Sequence, residues 1–281
     1  MSSSDPWRWR VSGRTLAVAL PTPWQVLGWA PLGGGFTRAN LIVNHQIAMG
    51  DLAATNAPRA HLLGVVRALR RDSLRAVGTK SSNGRDRSGV ARVANGDTRP
   101  TSAVGMMTGA DVTRAGHATV RREGLVAAAW CTAGCSNALR IGDRATAGIP
   151  RAADAQCSRS LTLKPGTINI IVAINQPLTR SAMAEALQLA VEARVAVLYD
   201  AGVMSVRSAA IATGTGTDCI VVAAPVAAPQ DRANAIVYCG KHTLPGELIG
   251  QAVMRSCATA LARSNPVTEI PAWSRARRDR G

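Results

Sequence analysis

Residues Gly124–Asp143 read GLVAAAWCTAGCSNALRIGD, and their two halves differ in chemistry. Leu125 to Trp130 is an unbroken apolar run with the length and bounding of a buried strand. It then gives way to small and polar residues: Thr132, Ala133, Gly134, Ser136 and Asn137. A buried strand ending in a polar, glycine-containing turn sets hydroxyl, amide and backbone N–H groups at the rim of a core. Ligands of open α/β sheets commonly bind at such rims. The turn is too polar for packing alone and too short for a linker, so it reads as site-forming.

Working outward, other segments fit the same layered plan. TINIIVAIN (Thr167–Asn175) is β-prone and apolar enough for a central strand. Asn169 inside it needs partners for its amide, as a structural tie or as a ligand contact. Thr179 is placed to cap a helix running to Ala201, with Met183, Leu187, Ala190, Val191, Val195 and Leu198 as its apolar stripe and Gly202 at its end. Ala209–Thr213 and Cys219–Ala224 read as paired strands about the turn GTGTD. GKHTLPGELIG (Gly240–Gly250) opens a second helix to about Arg263, with Glu247 at its positive end.

Nearer the N-terminus, Leu16–Leu20 and Val26–Ala30 are candidate short strands separated by Pro21 and Pro23. His61–Val77 has helical spacing, and Lys80–Thr101 has none and many breakers. The expected fold class is α/β, or mixed α+β. A central, mostly apolar sheet with flanking helices forms a single domain over residues 16–263. Residues 1–15 are an N-terminal extension, 78–101 an irregular basic insertion, and 264–281 a basic tail expected to be disordered.

Composition narrows the function classes. Apolar residues make up 47% of the 281 and aromatics only 3%, so the core must be built from Ala, Val, Leu and Ile. No apolar stretch approaches the roughly 20 residues that cross a bilayer. The apolar piece after Arg14 is too short for a secretory signal, so the expected location is cytoplasmic. The net charge of +16 invites a nucleic-acid reading. Most of the excess lies in Arg59–Arg99 and Arg275–Arg280, without interleaved aromatics to stack bases. No specific nucleic-acid partner is expected. Cys131 and Cys135, with His117 or His242, lack the two tight pairs of a structural zinc site, and reduced thiols fit better.

Three polar clusters end apolar segments: TAGCSNALRIGD (132–143), ATGTGTD (212–218) and GKHTLPGELIG (240–250). None is a P-loop. Gly134–Ala138 approaches the GxSxG elbow, and with Asp218 and His242 gives the order Ser, Asp, His. Ala138 replaces the last glycine, so Ser136 reads better as a capping or orienting group. His242 is either an acid–base group or a structural histidine, and Asp218 and Glu247 have equally plain alternatives as turn and helix caps.

Together with PGTINIIVAIN (165–175), these clusters resemble the adenosylcobinamide amidohydrolase family of corrinoid salvage. The resemblance rests on Thr132-Ala133-Gly134, Asn137-Ala138, Gly142-Asp143, Gly166–Ile170, Ala212–Asp218, His242-Thr243 and Gly246-Glu247. Gly34-Gly35, Asn44 and Met106–Asp111 add to it upstream. It departs from the family pattern at Arg59–Pro100 and at Cys135. It implies hydrolysis of the amide joining aminopropanol to the corrin ring of adenosylcobinamide, giving adenosylcobyric acid. His242 with Glu247 or Asp218 would move protons. Thr132, Ser136, Asn137, Asp143, Asn169, Thr213, Gly214, Thr215, Gly216 and Thr217 would bind substrate. No cofactor or protein-bound metal is implied, because cobalt arrives with the corrinoid. A homo-oligomer is left open. The rival reading is a noncatalytic corrinoid- or nucleic-acid-binding protein using the basic segments. The enzyme reading expects the polar turns to converge on one pocket.

Overall fold

A computed structural model of the chain describes residues 5–48, 50–78, 103–145, 148 and 166–264. The expected insertion and tail lie almost entirely outside the described residues. β6 (Leu125–Ala133) and β8 (Ile168–Ile174) are wholly buried strands, as expected from their apolar runs. They pair antiparallel, Ala127 opposite Ile174 and Ala133 opposite Ile168. β8 is followed by α3 (Arg180–Asp200) and then by β10 (Cys219–Ala224), which lies parallel to β8. Such a strand–helix–strand unit needs a crossover, and α3 provides it.

The remaining strands are β1 (Arg8–Ser12), β2 (Thr15–Gly28), β3 (Gly35–Gln46), β4 (Ala103–Thr108) and β5 (Gly116–Arg122). They complete an eight-stranded mixed sheet in the order β4-β3-β2-β10-β8-β6-β5, with β1 on β2. The fold is therefore mixed α+β. β1 and the start of β2 belong to the sheet, so the ordered chain begins well before residue 16.

β2 was expected as two short strands, and it is a single long one. Its register against β3 shifts between Ala19 and Trp24, across the stretch that holds Pro21 and Pro23. Proline has no N–H to give a ladder, so the two prolines sit where pairing is broken and the strand bends. Past the bend the sheet folds back over its own face. Trp7 meets both Trp24 and Trp130 edge-on, with ring centroids 6.1 and 6.0 Å apart. Aliphatic residues of β2, β8 and β10 close the same layer.

On the opposite face α3 and α4 (Leu244–Ser264) cover β6, β8 and β10 with Met183, Ala186, Leu198, Ile249 and Val253 against Ile170, Val172 and Val222. Thr179 caps α3 through Ala182 N–H, as expected, and Gly202 takes the left-handed turn at φ +60° beyond its end. Gly116 admits α4: a Cβ there would lie 2.0 Å from the Ser256 carbonyl oxygen. α2 (Pro58–Gly78), preceded by the short α1 (Leu52–Asn56), packs Leu62 and Val66 on Ala17, Val43 and Ala103. The expected strand at Ala209–Thr213 is absent. Gly214–Thr215 (β9) instead pairs with Ala138–Leu139 (β7) in a two-residue ribbon. Among the described residues no helix is long and apolar enough to cross a membrane.

Candidate active site

The end of the sheet where β6 finishes and β8 and β10 begin gathers most of the polar residues singled out in the sequence. Asn169 on β8 sits opposite Thr132 on β6, and beside Cys219 on β10. Because the sheet folds back, Asn44 on β3 reaches the same point. Its amide nitrogen donates to Thr132 Oγ1 at 2.9 Å, and Asn169 Nδ2 donates to Asn44 Oδ1 at 2.9 Å and to the Met107 carbonyl at 2.8 Å. Asn169 Oδ1 in turn accepts from Cys219 N–H at 3.1 Å. Each of the three polar side chains is only 1% exposed. Thr132 and Asn169 are thus structural ties that pin five strands, rather than groups free to meet substrate. In the buried setting a satisfied network of this kind fixes one packing.

Asp218 is held as firmly. Its carboxylate accepts from Ile168 N–H at 2.9 Å, Thr215 N–H at 2.8 Å and the Thr215 hydroxyl, and pairs with Arg194 of α3 at 2.8 Å. A Cβ on Gly214 would lie 2.3 Å from that carboxylate, so the turn needs glycine there. Trp29 closes the far side by donating its indole N–H to the Asp218 carbonyl at 2.7 Å. Asp218 builds the 214–217 turn and has no lone pair to spare for a histidine.

Around these ties lies a rim whose inner wall is buried and whose outer residues Ser136, Ile141, Gly142, Gly216 and Thr217 are exposed. Gly166 passes so close to the 134–137 turn that a Cβ would meet Asn137 Oδ1 at 2.2 Å and the Gly134 carbonyl at 2.7 Å. Asn137 Oδ1 is buried and, among the described residues, has no hydrogen-bond partner, an unmet acceptor in a polar wall. Thr167 and Thr217 share a hydrogen bond between hydroxyls, and Thr217 also donates to the Gly166 carbonyl at 3.1 Å. Gly134 packs on Ala110, bringing the Met106–Asp111 stretch to the same wall. Thr213 Oγ1 accepts from Ile141 N–H at 2.8 Å, and Asp143 accepts from Ser205 Oγ at 2.6 Å. Hydrogen bonds from Ser205 and from the Arg140 N–H hold the carboxyl of Asp143 below the usual carboxylate range. Trp29 and Ile141 leave 47% and 84% of their surfaces exposed beside this rim. It therefore offers both polar donors and apolar faces.

His242 and Glu247 do not join it. Glu247 makes a two-pronged ion pair with Arg122 at 2.9 and 2.8 Å, and Arg122 is paired with Leu125, the first residue of β6. Asn137 follows the last. Eight steps of about 3.3 Å place those ends roughly 26 Å apart. His242 is exposed before α4, next to Lys241, which pairs with Glu192 at 2.5 Å. The expected single pocket is corrected on this point: two of the clusters meet, and the third caps a helix at the other end. The Ser136–Asp218–His242 order likewise has no common geometry. Periodicity could show that residues 240–250 start a helix, but not to which end of the sheet α4 carries them.

Burial pushes the thiols of Cys135 and Cys219 up to about 12, and raises that of Cys131 as well. Among the described residues the cysteines are free, and no group of three or more His, Cys, Asp or Glu is placed to hold a metal ion.

Sequence comparison matches residues 8–269 to the model of the adenosylcobinamide amidohydrolase family. The chain belongs to that family. The match spans every strand of the sheet and both sides of the polar rim, including the segments 132–143, 166–170 and 212–218. An uncharacterized protein of Methanocaldococcus jannaschii, MJ1613, is 32% identical over 168 residues, covering 58% of this chain. The chain spans 64% of that relative's length, a little less than two thirds. The crystal structure of the PH0078 protein from Pyrococcus horikoshii superposes with a TM-score of 0.42 at 12% identity, over 92% of this chain and 83% of that one. That likeness is too slight to carry an argument.

Two residues of this candidate site escape a sequence reading. Arg194 had a signal, as an arginine interrupting the apolar positions of α3 between Ala190 and Val197. Trp29 had none, because its contact with Asp218 spans 189 positions of sequence.

Proposed function

We propose that this protein hydrolyses the amide between the aminopropanol arm and the corrin ring of adenosylcobinamide, releasing adenosylcobyric acid and aminopropanol. Family membership over nearly the whole chain carries this reading. In the reaction water adds to the carbonyl carbon, the C–N bond breaks, and the amine leaves with a proton. The protein must orient the amide, receive the charge that develops on its oxygen, and screen both from bulk water.

The polar rim supports those tasks. Asn137 Oδ1, buried against Gly166, shapes the wall on which the scissile amide rests. The exposed 216–217 tip and the Thr167–Thr217 hydroxyl pair line the path of the substrate oxygen. Asp218, fixed by Arg194, is a positioning residue that keeps this turn in shape. The exposed faces of Trp29 and Ile141 take the edge of the corrin ring, a broad apolar disc that would otherwise leave them wet. The cobalt enters and leaves as part of the substrate.

Incubating the purified protein with adenosylcobinamide and analysing the products by mass spectrometry tests this. Adenosylcobyric acid and free aminopropanol should accumulate with native protein and fall sharply with Asn137→Ala. Unchanged substrate with native protein would overturn the proposal.

A further inference from the structure

A second feature lies at the other end of the parallel pair. Past the carboxyl ends of β8 and β10 a groove of about 610 Å³ opens between the 178–180 and 226–227 segments and the β2–β3 pair. It is lined by Arg38, Arg180 and Arg232, by Phe36 and Thr37, and, among the described residues, by no carboxylate. Arg180 lies with its guanidinium 5.3 Å from the centre of the Phe36 ring. Such stacking orients the group while leaving its N–H donors free. Among the described residues none of these arginines forms an ion pair.

Four independent circumstances coincide here. Three unneutralised guanidiniums face one cavity. Its volume falls in the range of small-molecule sites, roughly 300–1,000 Å³. It lies beyond the carboxyl ends of two parallel strands, where open sheets bind ligands. The N-terminus of the 21-residue α3 adds its positive end at Arg180. All three arginines are exposed, so their mutual repulsion is solvent-screened, and an anion entering the groove meets charge that no carboxylate among the described residues has neutralised. A bounded groove with one aromatic wall suits a compact anion better than a long polymer.

We propose that this groove binds a small molecule carrying two or more phosphoryl groups, such as a nucleoside di- or triphosphate, at a site separate from the polar rim. Arg180 and Arg38 take the phosphoryl oxygens in forked contacts, and Arg232 closes from the loop after β10. The binding does not depend on the amidohydrolase reading, since it is measured without turnover.

Isothermal titration calorimetry of the full chain with pyrophosphate, ATP and adenosine tests it. Pyrophosphate and ATP should bind saturably, one per chain, more tightly than about 1 mM, and adenosine should not. Each arginine lost should weaken binding about tenfold, so Arg38→Ser with Arg180→Ser should weaken it about 100-fold. Arg8→Ser, on exposed β1, should leave it unchanged. If the double variant melts early, Thr37→Glu puts a carboxylate into the groove and should give a comparable loss. No saturable binding by the native protein, equal loss in Arg8→Ser, or displacement of pyrophosphate by a stoichiometric single-stranded oligonucleotide overturns the proposal.

Discussion

Arg194 and Asp218 form an ion pair at 2.8 Å with their side chains only 10% and 7% exposed. It links the C-terminal half of α3 to the turn before β10, and through Ile168 N–H to the first residue of β8. Arg194→Met should therefore cost about 3–5 kcal/mol, because it leaves a buried carboxylate without its counter-charge. Pairing it with Asp218→Asn should recover part of that loss. Urea unfolding of the two single variants and the double variant measures this. A loss below about 1 kcal/mol in Arg194→Met would show that the pair does not lock the turn.

Gly166→Ala places a methyl group 2.2 Å from Asn137 Oδ1 and 2.7 Å from a backbone carbonyl. The 134–137 turn must move to admit it. Overpacking of this kind costs about 1–3 kcal/mol, and a shift near 1 Å in a reacting wall costs about 100-fold in rate. Amide cleavage should fall by about that factor while circular dichroism keeps the native signature. Full activity in Gly166→Ala would remove this wall from the chemistry.

His242→Ala should retain amide cleavage within about twofold, since the exposed ring lies at the far end of β6 from Asn137. Glu247→Gln should leave activity alike and lower stability by about 0.5–1 kcal/mol through its half-exposed pair with Arg122. Turnover assays beside thermal melts separate the two effects. Loss of turnover in His242→Ala, with an unchanged melt, would restore histidine to the reaction.

His45 predicts an acid-side weakness. Burial, then the neighbouring His61 and Arg14, lowers it from 6.5 to about 4. The unfolded chain therefore binds a proton between those values that the folded chain refuses, and stability falls as pH drops from about 6.5 towards 4. The ring is half-buried, so the loss is of order 1–2 kcal/mol after solvent screening. His45→Gln, which keeps a polar partner for Thr15, should flatten that part of a stability-versus-pH curve. An unchanged slope would place the acid sensitivity elsewhere.

The central sheet was legible because its signals are local. The apolar runs 125–130 and 168–174 carry their own burial, and Thr179 and Gly202 carry the limits of α3. Asn169 was legible as a residue needing partners, though not as a tie to Asn44, which lies 125 positions away in sequence. The bend in β2 was half legible: Pro21 and Pro23 mark a break in pairing, but not that the strand continues past it. Ala209–Thr213 looked like a strand because Ala209, Ala210, Ile211 and Ala212 are apolar. Thr213 N–H bonds instead to Leu139, in a ribbon too short to leave a periodic trace. The placement of His242 was not legible at all, because it depends on the direction α4 takes after a 19-residue connection from β10.

The knot of Asn44, Met107, Thr132, Asn169 and Cys219 draws on five strands that are distant along the chain. During synthesis its last member, Cys219, emerges 175 residues after its first, Asn44. Until then the earlier amides have only water or one another for company, and the rim has no framework. Productive assembly thus waits for β10 and is governed by long loop closures. Chains broken off before β10 should accumulate as insoluble fragments rather than as partial enzymes.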